Sequence, residues 1–350
     1  MKNYLQFKNI VLLLLMVTGY LAKAQTSQCF QQVSGGVFHS LAIAQNGTLW
    51  AWGDNLYGCL GDGTNVNKNT PVQIGTATNW SKISAGQEFS LAVKTDGTLW
   101  AWGLNSYSVL GNNSSSPLNV PTQVGTATDW AEVSAGVFKA VAIKTNGTLW
   151  AWGSNSNNEL ISTVTANIIQ VPTQVGTSTN WSKVDMGSGH VLAIKTNGSL
   201  WAWGFNIYGE IGTGLTTQAV VNVPTQIGTA TNWSTISAGV LQSLAVKTDG
   251  TLWAWGFNER GQIGDGTLID KNVPTQIGTA TNWNRISSGA GHSLAQKTNG
   301  TFWSWGYNNR GQLGDGTIIS KNIPTQVGTG NSWNAISAGS FHSFSIKTDG

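Results

Sequence analysis

Only 9% of the 350 residues are charged, against roughly 25% in ordinary soluble domains, while 44 are glycine and 18 are tryptophan. Eighteen Lys and Arg face 15 Asp and Glu, and only Arg260, Arg285 and Arg310 are arginine. Such a chain lacks the clustered basic surface on which phosphate recognition rests, so nucleic acid is not an expected partner.

Residues 1–24 read as a secretory signal peptide. Lys2 and Lys8 form a positive start, Ile10 to Val17 an apolar stretch too short to span a bilayer, and Ala22-Lys23-Ala24 a cleavage site. The mature chain is expected to begin at Gln25. Lys2, Lys8 and Lys23 leave with the signal and no acid does, so 18 − 3 = 15 bases face 15 acids. No later stretch has the run of apolar residues that a membrane helix needs, and no lipobox adjoins Cys29. The expectation is an exported protein, secreted or at the cell surface. In that setting Cys29 and Cys59 are a possible disulfide, but the spacing leaves the pairing open.

From residue 30 onward the sequence repeats. WAWG stands at Trp50–Gly53, Trp100–Gly103, Trp150–Gly153, Trp201–Gly204 and Trp253–Gly256, with WSWG at Trp303–Gly306. Trp80, Trp130, Trp181, Trp233, Trp283 and Trp333 form a second series at the same period, and Phe30 takes the place of a first member. Within one unit, His292 to Lys297 alternates as a strand should. Asn299-Gly300 has the two-residue hairpin signal, and Thr301 to Trp305 is an aromatic-rich returning strand. Gly311 to Thr317 is a glycine-rich loop. Ile323 to Val327 is a further short strand, with Pro324 near its start. No segment has a sustained helical period. Each unit of about 50 residues is thus a small antiparallel sheet that cannot bury its own faces. Radial stacking into a closed ring buries them, which makes the fold class all-β, a β-propeller. The two Trp of WAWG point to one face of their strand and read as wedges between blades.

The unit written at Gly289–Thr317, G-x-x-H-S-L-A-x-K-T-N-G-T-F-W-S-W-G-x-N-x-x-G-Q-L-G-D-G-T, resembles the regulator of chromosome condensation repeat. The resemblance covers residues 30 to 350. It implies a seven-bladed propeller that binds a partner protein on one face. Six full repeats are expected (30–79, 80–129, 130–180, 181–232, 233–282 and 283–332). A partial one over 333–350 would leave the chain ending inside the seventh blade, as a fragment of a longer chain would.

All four histidines, His39, His190, His292 and His342, occupy one repeat position, where other units carry Phe89, Lys139 and Gln242. That variety points to a structural hydrogen bond rather than a metal site. Asp62, Asp265 and Asp315 of the GDGT loops are one carboxylate per loop, too few for calcium. Asn46, Asn146, Asn197 and Asn299 match a glycosylation sequon, but the hairpin itself demands Asn-Gly. No catalytic motif, metal site or cofactor is expected. Variation concentrates in the loop after each WAWG, where Tyr57, Tyr107, Tyr208, Arg260 and Arg310 stand. Loops carry function, and Tyr and Arg are enriched at binding hot spots, so these five are the candidate partner-binding residues. The irregular third loop, Ser154 to Gln170, is a second candidate contact. The reading is a secreted, monomeric, non-enzymatic scaffold that binds a protein partner. Two alternatives stand beside it. One is an exchange factor for a small GTPase, as the resemblance suggests. The other is a carbohydrate-binding or enzymatic propeller, which would need Trp exposed on a face.

Overall fold

The structure, a computed structural model, describes residues 29–215 and 219–349, so the expected signal peptide lies outside the described residues. The first blade has strands Phe30–Gly35, His39–Ala44, Leu49–Gly53 and Lys68–Gln73, paired antiparallel in chain order. The same four-stranded meander recurs five more times, its innermost strands being Trp80–Ala85, Trp130–Ala135, Trp181–Met186, Trp233–Ala238 and Trp283–Ser288. No described α-helix interrupts it; one short 3₁₀ turn spans Ser106–Ser108.

The expectation of seven blades needs correction. The described residues form six four-stranded blades, followed by a two-stranded sheet, Trp333–Ala338 with Ser343–Lys347. A full blade also needs a Trp-x-Trp-Gly strand and a Pro-x-Gln strand. The last of these lie in Phe302–Gly306 and Lys321–Gln326, within the sixth blade. The two-stranded sheet nonetheless closes the inner ring, because Trp333–Ala338 packs between Trp283–Ser288 and Phe30–Gly35.

Around the axis a repeated serine ties each inner strand to the next. Ser34 Oγ accepts the Ala85 N–H at 3.0 Å and Ser84 Oγ accepts that of Ala135 at 2.9 Å. The pattern continues to Ser337, which accepts the Gly35 N–H at 3.0 Å and so returns to the first strand. In the fourth blade Asp185 replaces the serine and its carboxylate accepts the Ala238 N–H at 2.8 Å. These strands enclose an axial cavity of about 190 Å³.

Tryptophan holds the blades together. The second Trp of each motif from Trp102 to Trp305 is 0% exposed. Trp102 donates its Nε1–H to Cys59 O of the preceding blade at 2.8 Å, and Trp255 and Trp305 do likewise to Glu210 O and Gln262 O. Burying an indole removes on the order of 200 Å² from water, about 5 kcal/mol at 25 cal/mol/Å². That exceeds any polar contact in the blade, so these indoles dominate inter-blade cohesion. The first Trp packs edge-on against the inner-strand Trp, with Trp80 and Trp100 ring centroids 5.8 Å apart. A lysine caps the pair, Lys94 Nζ lying 3.8 Å from the Trp100 ring centre. The glycine of WAWG is obligatory. Gly53 has φ +109°, and a Cβ there would sit 2.6 Å from Phe38 O.

Candidate protein-interaction face

The long loop between the third and fourth strands of each blade is organised by a buried asparagine. Asn258, 0% exposed, accepts the Ile263 N–H at 3.0 Å, and its Nδ2 donates to Thr267 O and Ile269 O, both at 3.1 Å. Asn55, Asn105, Asn155 and Asn308 do the same in their own loops. Two residues after each asparagine comes the variable position that holds Tyr57, Tyr107, Tyr208, Arg260 and Arg310. Sequence reasoning did not foresee how this position is fixed. Its backbone N–H donates to the side chain two residues on: Tyr208 to Glu210 Oε2 at 2.8 Å, Arg260 to Gln262 Oε1 at 3.0 Å, and Arg310 to Gln312 Oε1 at 2.9 Å.

All five side chains are exposed on one face of the disc. They form an arc over blades one, two, four, five and six and do not converge on a cavity. Four of them lean on an aromatic ring of the following unit. Tyr107 meets Phe138 at 5.0 Å, Tyr208 meets Phe257 at 4.7 Å, and the Arg260 guanidinium lies 4.9 Å from the Tyr307 ring centre. Arg310 lies 5.9 Å from Phe341. These contacts reduce the conformational freedom that binding would otherwise have to freeze. Every exposed large apolar side chain among the described residues lies in the turns and loops of this face, as Leu56 and Ile207 do, or on the outer strands at the rim of the disc, as Val120 does. Among the described residues the hairpins of the opposite face, such as Asn46-Gly47, and the linkers between blades carry none.

The irregular third loop keeps its asparagine but encloses an ion pair, Lys139 Nζ to Glu159 Oε1 at 2.6 Å, both side chains nearly inaccessible. Lys139 stands at the histidine position, and burial pushes its ammonium below the usual lysine range while Glu159 pulls it back. In the sequence, the only clue was that a base and an acid replace the usual residues within one repeat.

The histidines do not gather into a site. His39 Nε2 meets Ser90 Oγ of the next blade at 2.8 Å, and Ser90 donates its own proton to Cys59 O at 2.8 Å. A hydroxyl that has given its proton must accept here, so Nε2 carries the hydrogen. His190 with Ser243, and His292 with Ser343, repeat the relay. Burial pushes His39 down to about 3, and His190 and His292 down to about 4. The GDGT carboxylates act as turn anchors. Asp62 accepts from Thr64 and pairs with Lys68 at 2.8 Å. Burial raises its carboxyl, but Lys68, Thr64 and Asn55 together outweigh this and bring it to about 2.

Cys29 and Cys59, whose pairing the sequence leaves open, lie in different settings. The Cys59 thiol is buried within blade one and donates to Asp54 O at 3.0 Å, and burial pushes it up to about 12. Cys29 lies at the ring closure, where its thiol reaches Asp349 O at 3.6 Å.

An RCC1-like domain model matches residues 17–294, and models of the regulator of chromosome condensation (RCC1) repeat match residues 299–346 and 283–312. The ultraviolet-B receptor UVR8 of Arabidopsis thaliana is 32% identical over 104 residues, 29% of this chain and 23% of that protein. Human protein RCC2 is 37% identical over 83 residues, 23% of this chain and 16% of that protein. The matched segments thus span under a quarter of these relatives. Prp20p of Saccharomyces cerevisiae superposes with a TM-score of 0.79 at 22% identity, covering 90% of this chain and 82% of that one. Human WBSCR16 gives 0.80 at 20% identity, covering 92% and 87%. Those two likenesses show a shared fold, and the family itself follows from the RCC1-like domain match, which spans most of the sequence: the chain belongs to the RCC1-like family of regulator of chromosome condensation repeat proteins.

Proposed function

We propose that this chain is an exported, non-enzymatic scaffold that binds a partner protein through the face carrying Tyr57, Tyr107, Tyr208, Arg260 and Arg310. The observation that carries the reading is the asymmetry of the disc. Exposed apolar side chains occupy one face and its margin, and on that face the variable Tyr and Arg rest on neighbouring rings. Rigid aromatic and arginine side chains are the usual anchors of protein interfaces. A fold relative supports a binding role: Prp20p is characterised by its binding to Gsp1p and histones. The exchange-factor alternative rests on that kinship alone, and the export signal expected over 1–24 counts against it. The carbohydrate-binding alternative needs exposed indoles, and no described Trp is exposed.

Affinity capture from extracellular and envelope proteins tests the proposal, with the chain from Gln25 onward as bait and a variant with all five residues changed to alanine as control. A protein held by the wild type and lost by the variant supports it. Equal capture by both would sink it. N-terminal sequencing of the exported chain should begin at Gln25, and a chain that keeps Lys2 and Lys8 would remove the export part.

A further inference from the structure

The tips of two adjacent loops on this face carry paired aliphatic side chains. Leu268 and Ile269 of the fifth blade are 57% and 67% exposed, and Ile318 and Ile319 of the sixth are 71% and 64% exposed. The equivalent pairs in the first three blades are Asn65-Val66, Ser115-Ser116 and Thr165-Ala166. The two tips are neighbours: the fifth loop rests on the outer strand of the sixth blade, with Gly266 N–H donating to Asn322 O at 2.9 Å and Asn322 Nδ2 donating to Gly266 O at 2.8 Å. The fifth blade is flanked by full four-stranded blades on both sides, so its tip is exposed by design of the loop.

We infer that these four side chains insert into the interfacial region of a lipid bilayer of neutral headgroups, and so seat one edge of the disc on a membrane surface. Three observations favour lipid. The anchors are Leu and Ile on protruding tips, and protein hot spots favour Trp, Tyr and Arg while Leu is under-represented there. Backbone entering an apolar phase must have its polar groups satisfied internally. At the second residue of each pair the loop scaffold meets this requirement: the Ile269 and Ile319 N–H groups donate to Thr267 and Thr317 Oγ1, both at 3.3 Å, and their carbonyls accept from Asn258 and Asn308 Nδ2, both at 3.1 Å, bonds that Val66 and Ser116 also make in their own loops. Finally, the two loops are balanced in charge. Arg260, Lys271, Arg310 and Lys321 face Glu259, Asp265, Asp270 and Asp315, and Lys271 pairs with Asp265 at 2.9 Å. A surface without net charge fits a headgroup layer without net charge, and its attachment rests on buried apolar area.

The test is co-sedimentation with phosphatidylcholine vesicles, using the chain from Gln25 so that the apolar leader cannot contribute. The control is Leu268→Ser, Ile269→Ser, Ile318→Ser and Ile319→Ser combined, a change for which Ser115-Ser116 is the precedent within the same fold. An unchanged circular dichroism spectrum and melting point certify that the control is folded. The wild type should bind, added salt should leave binding unchanged because no net charge is involved, and the control should lose at least about tenfold in partitioning. Replacing the five Tyr and Arg with alanine should leave vesicle binding in place, which separates this inference from the partner-binding proposal. Three outcomes overturn it: no binding by the wild type, binding only when anionic lipid is added, or a concentration-dependent dimer in sedimentation velocity that the serine control abolishes while vesicles are ignored.

Discussion

At the scale of single residues, the repeat supplies its own controls. Gly58, Gly209, Gly261 and Gly311 have φ between +75° and +83°, but Ser108 and Asn158 fill the same position at +55° and +54°. A left-handed residue that is not glycine costs roughly 1–2 kcal/mol, so Ser108→Gly should raise stability by about 1 kcal/mol in denaturant titration. The lysine caps offer a second comparison. Lys195 Nζ sits 4.0 Å from the Trp201 ring centre, whereas the first blade has Ala44 opposite Phe30. Lys195→Met is expected to lose about 0.5–1 kcal/mol, as an exposed cation–π contact should. Both positions were visible as departures from the repeat, but their consequences were not. Sequence marks a missing glycine, and only the backbone angle shows that its replacement stays left-handed.

At the scale of strands and loops, the histidine relays make stability depend on pH. The folded values of His39, His190 and His292 lie below the ordinary 6.5, so below that pH the unfolded chain takes up more protons than the folded one. Their contribution is complete above about pH 6.5 and is lost as pH falls toward 4, by up to about 1.4 kcal/mol per pH unit for each histidine. His190→Gln, for which Gln242 is the model at the same repeat position, should flatten that part of the slope in melts taken between pH 6.5 and 4.5. A parallel slope in the variant would refute the relay's role. The hairpins, the returning aromatic strands and the variable loop position were all legible in the spacing of Asn-Gly, WAWG and the recurring asparagine. The asparagine's role as hub was not, because its partners are backbone groups that no side-chain pattern reveals. The buried Lys139–Glu159 pair escaped for a related reason. The two residues are 20 positions apart, and only the turn at Asn155 brings them together.

At the scale of the whole molecule, the ring is tied at its axis by serine, except at Asp185. Burial pushes that carboxyl above the usual range although Ala238 and Ser134 hydrogen-bond to it. An acid whose folded value is raised loses stability as pH rises through that value. Asp185→Ser, which restores the residue of the other inner strands, should therefore give a gain in melting temperature that is larger at pH 7 than at pH 4. The ring architecture was readable from the period alone. The number of blades was not, because seven came from the family resemblance, whereas the six WAWG-type strands match the six four-stranded units and Trp333 heads a strand without such a partner. The direction of the loop contacts has a further consequence. Gly63 grips Asn119, Gly214 grips Asn272 and Gly266 grips Asn322, in each case reaching from one blade to the next in sequence. Assembly is therefore vectorial. A nascent chain emerging N-terminus first completes each clamp when the following outer strand is made, and among the described residues the long-range docking of Trp333–Ala338 on Phe30–Gly35 has to wait until all six blades are made. Chains stalled at successive blade boundaries should yield protease-resistant cores that lengthen by one repeat at a time.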